Sequence, residues 1–121
     1  MYEVIWQKNN GIEILLKGEL KGDEFRDIIH QLESLAAMHP KINVLLDASG
    51  MERHDIETIE KEKEFFDEYG KKINRIAVVA DAKFPALVLD RFRSMDDAEF
   101  ETFTNDQIED ARKWIFPSPL P

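Results

Sequence analysis

The chain has 121 residues, 43% of them hydrophobic and 34% charged, with a formal net charge of −9 and no cysteine. That length fits one domain with a proper core. The acidic balance argues against nucleic acid or anionic lipid as partner, since phosphates are repelled on approach, and the lack of thiols excludes a disulfide framework, a thiolate nucleophile and a sulfur-ligated metal. A reducing cytoplasm is the expected compartment. The opening run Met1 to Lys8 lacks the basic start and apolar stretch of a signal peptide. No stretch approaches the roughly 20 apolar residues that span a bilayer, so membrane insertion is not expected.

Tyr2 to Gln7 and Ile12 to Lys17 read as two short strands. Asn9-Asn10-Gly11 between them is a tight-turn signal, because Asn and Gly tolerate positive φ. An antiparallel hairpin is predicted. Asp23 then caps a helix with Phe25, Ile28, Ile29, Leu32, Leu35 and Ala36 on one face. Asp23 and Glu24 suit its dipole, and Pro40 closes it. Ile42-Asn43-Val44-Leu45-Leu46-Asp47 is a buried strand ending on an acid, and Ala48-Ser49-Gly50 is expected to break the chain there.

Asp55 opens a strongly charged helix running to about Tyr69, with Gly70 as its end signal. Its apolar face is thin: Ile56, Ile59, Phe66 and Tyr69, interrupted by Lys63. Local pairs such as Glu57–Lys61 support it more than burial does, which makes it the element expected to move. Arg75-Ile76-Ala77-Val78-Val79-Ala80-Asp81 is a second buried strand ending on an acid. A Pro-started helix follows from Phe84 to Met95. Glu99 to Phe103 is a short alternating strand, and a capped helix runs from Thr104 to Ile115.

The predicted order is β-β-α-β-α-β-α-β-α. It describes a single α/β domain over residues 1–116, with a mixed, mostly parallel five-stranded sheet whose first strand is antiparallel, and four helices. Residues 117–121, Pro117-Ser118-Pro119-Leu120-Pro121, are read as a flexible tail.

Three features resemble the SpoIIAA-like proteins, relatives of the STAS domain of anti-sigma-factor antagonists that are also grouped as STAS/SEC14-like. They are the amphipathic helix leading into Ile42-Asn43-Val44-Leu45-Leu46-Asp47, the run Arg75 to Asp81, and Ala98-Glu99-Phe100-Glu101-Thr102-Phe103 with the helix ending in Ala111-Arg112-Lys113-Trp114-Ile115. The resemblance implies a small cytoplasmic domain without catalytic activity or cofactor. STAS antagonists bind a protein partner and are switched by a serine in an Asp-Ser-Ser-Gly-like motif after the third strand. Here that stretch reads Asp55-Ile56-Glu57-Thr58, with no serine after Asp55. The SpoIIAA-like branch commonly lacks the switch as well, and the resemblance implies that apolar ligands are held instead.

Ligand sites of such sheets lie beyond the carboxyl ends of the strands. Asp47 and Asp81 are both expected on that rim, either as paired carboxylates or as caps of the following segments. Ser49-Gly50 lacks the frame of a nucleophile elbow or a phosphate loop and reads as a turn. His30, His39 and His54 have no recognised metal spacing. Lys83, Arg91 and Arg93 form a basic spot that Asp90, Asp96 and Asp97 can neutralise. The helix from Phe84 to Met95 either packs into the core or lines a pocket through Phe84, Leu87 and Val88, facing Ile56, Ile59 and Phe66 across a crevice. The expected function is non-enzymatic: a STAS-like regulatory module holding a small apolar or amphipathic ligand. The alternative is a protein-interaction module of a signalling pathway. Homodimerisation through a sheet edge or helix face is compatible with both.

Overall fold

A computed structural model of the chain describes residues 1–19, 22–53, 67–80, 90 and 98–116. Strands β1 (Tyr2–Lys8) and β2 (Gly11–Glu19) form the predicted antiparallel hairpin. Lys8 pairs with Gly11, leaving Asn9 and Asn10 as the turn. Asn9 takes the positive φ of 53° that the turn requires. Helix α1 (Gly22–Met38) follows, with Asp23 and Glu24 in its first turn. Phe25, Ile28, Leu32, Leu35 and Ala36 are buried, on the predicted face, and each large side chain contributes about 1.5–3 kcal/mol of burial free energy. The last turn of α1 carries no basic residue of its own. Lys72 supplies the charge there, donating from Nζ to the Ala36 carbonyl at 3.3 Å.

Strands β3 (Ile42–Arg53), β4 (Ile73–Val79) and β5 (Glu99–Phe103) complete a five-stranded sheet in the order β1-β2-β3-β4-β5. β2 through β5 are mutually parallel, as the α/β pattern requires. Helix α2 (Ile108–Ile115) closes the described chain, entered through a 3-10 turn at Asn105–Gln107. Residues 67–69 and 90 are also helical. They fall inside the two other predicted helices, whose bodies lie outside the described residues.

The sheet is covered on both faces. Ile12, Ile14, Leu16, Val44, Leu46, Ile76 and Val78 meet α1. Leu45, Ala77 and Val79 meet Ala111 and Ile115 of α2. Two-sided burial explains why β3 and β4 read as unbroken apolar runs.

Two strand boundaries differ from the sequence expectation. Ala48-Ser49-Gly50 does not end β3, which continues to Arg53 along Lys17, Gly18 and Glu19 of β2. The pairing steps from Leu15↔Asp47 to Lys17↔Gly50, so β3 carries one extra residue there, a bulge. Asp47 stabilises it. Its Oδ1 accepts from the Ser49 backbone N–H at 3.1 Å and from the Ser49 hydroxyl at 2.6 Å. Asp47→Ala is expected to cost about 1 kcal/mol of stability, and Asp47→Asn, which keeps an acceptor, less; urea unfolding measures both. β4 ends at Val79, not at Asp81, and the Ala80 N–H turns to the Phe103 carbonyl at 3.0 Å.

Candidate functional site

Pairing register arranges side chains in rows across the α2 face. Gly11, Asn43, Arg75 and Glu99 make the first row, Glu13, Leu45, Ala77 and Glu101 the second, and Leu15, Asp47, Val79 and Phe103 the third, at the carboxyl rim. Asp47 and Ser49 therefore sit where the sequence expects a rim, half-buried and bonded to each other. Ala80 follows Val79, the partner of Asp47, on the neighbouring strand. The remaining expected site residues (Ile56, Ile59, Phe66, Asp81, Phe84, Leu87 and Val88) lie outside the described residues.

The other face, at β5, is different. Phe100 and Ala98 pack partly against the α1 core, and Thr102 pairs with Val78 of that core. Beside them opens a depression of about 330 Å³, lined among the described residues by Ala98, Phe100, Glu101 and Thr102. Small-molecule pockets run from roughly 300 to 1,000 Å³, so its size suits a short or slender ligand. Phe100 supplies an apolar wall and Thr102 a hydroxyl at the strand edge, while Glu101 belongs by register to the second row of the α2 face.

The second row of the α2 face holds a buried charge. Glu13 is 1% exposed. Its Oε1 accepts from Trp6 Nε1 at 2.8 Å and from Arg112 Nε at 2.8 Å, and its Oε2 accepts from a terminal Arg112 nitrogen at 2.9 Å. This bidentate geometry is the strong form of the ion pair. Hydrogen bonding to Glu13 holds the Arg112 guanidinium above its ordinary pKa, against the opposing pull of burial. Around it, the last carbonyls of α2 meet side chains from the first row. Asn43 donates to the Ile115 carbonyl at 3.0 Å, and Arg75 donates to the Trp114 carbonyl at 2.6 Å. The Arg75 guanidinium also stacks over the Trp114 ring at 5.1 Å. These donors satisfy the helix C-terminus, which lacks partners within its own ladder. At the helix start, the Thr104 hydroxyl donates to Asp106 and holds its carboxyl below the usual carboxylate range.

Sequence reasoning did not find Glu13, Asn43 or Arg112. The two ends of the ion pair stand 99 positions apart, and Glu13 sits in a strand whose alternation matches an ordinary solvent-facing position.

The SpoIIAA-like family model matches residues 12–116. The chain belongs to the SpoIIAA-like family. Among solved structures, this SpoIIAA-like protein is similar to an uncharacterized DUF3478-family protein with a SpoIIAA-like fold from Shewanella loihica PV-4. The TM-score is 0.72 at 18% identity, over 95% of this chain and 92% of that one. That likeness is one of fold. No curated protein matches the chain. The fold supports a binding or regulatory module. Among the described residues, no helix is long and apolar enough to cross a membrane, and no group of three or more His, Asp or Glu stands close enough to hold a metal.

Proposed function

We propose that this SpoIIAA-like protein is a non-enzymatic binding module that holds a small amphipathic molecule beside β5, on the α1 face of the sheet. The observation that carries this reading is the 330 Å³ depression with Phe100 as apolar wall and Thr102 at its margin. Ile56, Ile59, Phe66, Phe84, Leu87 and Val88 are proposed to complete the apolar wall. Asp47 and Ser49 already bond each other in the bulge, so the proposal leaves them outside the binding surface; Asp81 is assigned no contact.

The net charge of −9 disfavours an anionic head group and favours a neutral or cationic one. Native mass spectrometry with a fatty alcohol, an alkylamine and a fatty acid of equal chain length tests this. A 1:1 adduct is expected with the alcohol and the amine, and a weaker one with the acid. Ala98→Trp fills the depression and is expected to abolish the adduct while leaving the circular dichroism spectrum unchanged. Absence of any adduct across head groups and chain lengths contradicts the reading and leaves the protein-interaction role of a signalling module in its place.

A further inference from the structure

Asn10-Gly11, at the end of the β1–β2 turn, is the kind of dipeptide that deamidates spontaneously. Glycine after asparagine puts no side chain in the way of its own nitrogen. Water is the only co-reactant. The Gly11 backbone nitrogen, having given its proton to water, attacks Asn10 Cγ and forms a five-membered succinimide. The Cγ–Nδ2 bond breaks, and Nδ2 leaves as ammonia with a proton taken from water. A water molecule then opens the ring, giving aspartate or isoaspartate, in which the backbone runs through Cγ.

We infer that Asn10 is a deamidation site gated by the hairpin: the closed turn blocks the reaction, opening permits it, and conversion then loosens the hairpin from β3 irreversibly. Three contacts make the gate. Asn10 Nδ2 donates to the Lys41 carbonyl at 3.0 Å, which holds the leaving group toward the entry to β3. Gly11 is buried and in register with Lys8 of β1 on one side and Asn43 of β3 on the other. Attack needs the reacting atoms about 3–3.5 Å apart and aligned, and the Gly11 backbone cannot swing onto Cγ while both pairings hold. The Phe116 ring covers Gly11, with Cζ 1.9 Å from where a Cβ would stand, and keeps water off that side.

The same contacts make conversion consequential. The Asn10 carbonyl accepts from the Asn43 N–H at 2.8 Å, so Asn10 pins the turn to β3 through backbone and side chain together. An aspartate has no donor for the Lys41 carbonyl and turns a negative charge toward it. An isoaspartate also lengthens the backbone of a two-residue turn whose length sets the strand register. The labile pair serves packing: the ring needs a glycine at 11, and Lys41 needs an amide donor at 10.

Incubation of the full chain at mildly alkaline pH, with and without urea, tests the gate, and peptide mapping by mass spectrometry reads conversion at Asn10. Native protein is expected to convert more than about tenfold more slowly than unfolded protein, because it reacts only through an opened turn. Phe116→Ala, which uncovers Gly11, is expected to convert faster than the native wild type. Equal rates in the native and unfolded protein overturn the gate, and no conversion in urea overturns the site. The converted protein, separated by its added negative charge, and the variant Asn10→Asp are both expected to unfold at lower urea. Their Asn43 amide is expected to lose hydrogen-exchange protection. An unchanged midpoint with Asn43 still protected overturns the loosening.

Discussion

Arg112→Ala is expected to lower the unfolding free energy by about 3 kcal/mol. Removing one partner of a buried ion pair costs about 3–5 kcal/mol, because the other charge stays buried without its counter-ion. The lower end applies here. Glu13 is 1% exposed, but the Arg112 side chain is 36% exposed, and water that reaches it weakens the pair. Glu13 also keeps the Trp6 N–H as a donor after the change. Arg112→Lys is expected to recover only part of the loss, since a single ammonium cannot reproduce the two parallel N–H bonds. Replacing the whole pair, Glu13→Leu with Arg112→Met, is expected to restore stability close to wild type, because no uncompensated charge is left. Urea unfolding of the four proteins reads all of this. An Arg112→Ala loss well below 1 kcal/mol contradicts the account of Glu13 as a buried charge.

Gly11→Ala is expected to cost about 1–3 kcal/mol by overpacking. A Cβ at Gly11 falls 1.9 Å from Cζ of Phe116, so the ring must leave its seat. That ring also packs with Trp6 at 5.0 Å between centroids, and moving it opens the flank of α2. The effect belongs to the pair. In a Phe116→Ala background, Gly11→Ala is expected to cost far less, and the coupling measured by the double-mutant cycle isolates the contact. Additive costs in the cycle show that the glycine matters for another reason.

Much of the fold is legible in the chain because local and global signals agree. Asn9 and Asn10 supply the turn, Phe25 through Ala36 supply a helical face, and Ile76 to Val79 are apolar because both faces of β4 are covered. The misreadings have local causes. Ala48-Ser49-Gly50 has the composition of a turn, yet a bulge absorbs it. The Asp47 carboxylate satisfies Ser49, and β2 still offers a ladder at Lys17 to Glu19. The end of β4 is likewise set by a neighbour, the Phe103 carbonyl that takes the Ala80 N–H. Composition carries no trace of that bond.

The sites were less legible than the fold. Ala98, Phe100 and Thr102 look like an ordinary edge strand, and only the parallel pairing with Ile76 and Val78 shows which of them face the α1 side. The polar seat of α2 joins Glu13, Asn43 and Arg75 from three strands to one helix. Each of those residues is unremarkable in its own segment, and the constellation exists only once the strands are in register.

The central functional claim is that an amphipathic molecule lies against the α1 face beside β5. Titrating isotope-labelled protein with a neutral fatty alcohol, and following backbone amide shifts, tests it most directly. The account predicts saturable shifts concentrated at Ala98 to Thr102 and at Ile76 and Val78, with Trp6 and Trp114 on the opposite face unmoved. Shifts centred on the two tryptophans, or none at saturating alcohol, contradict it.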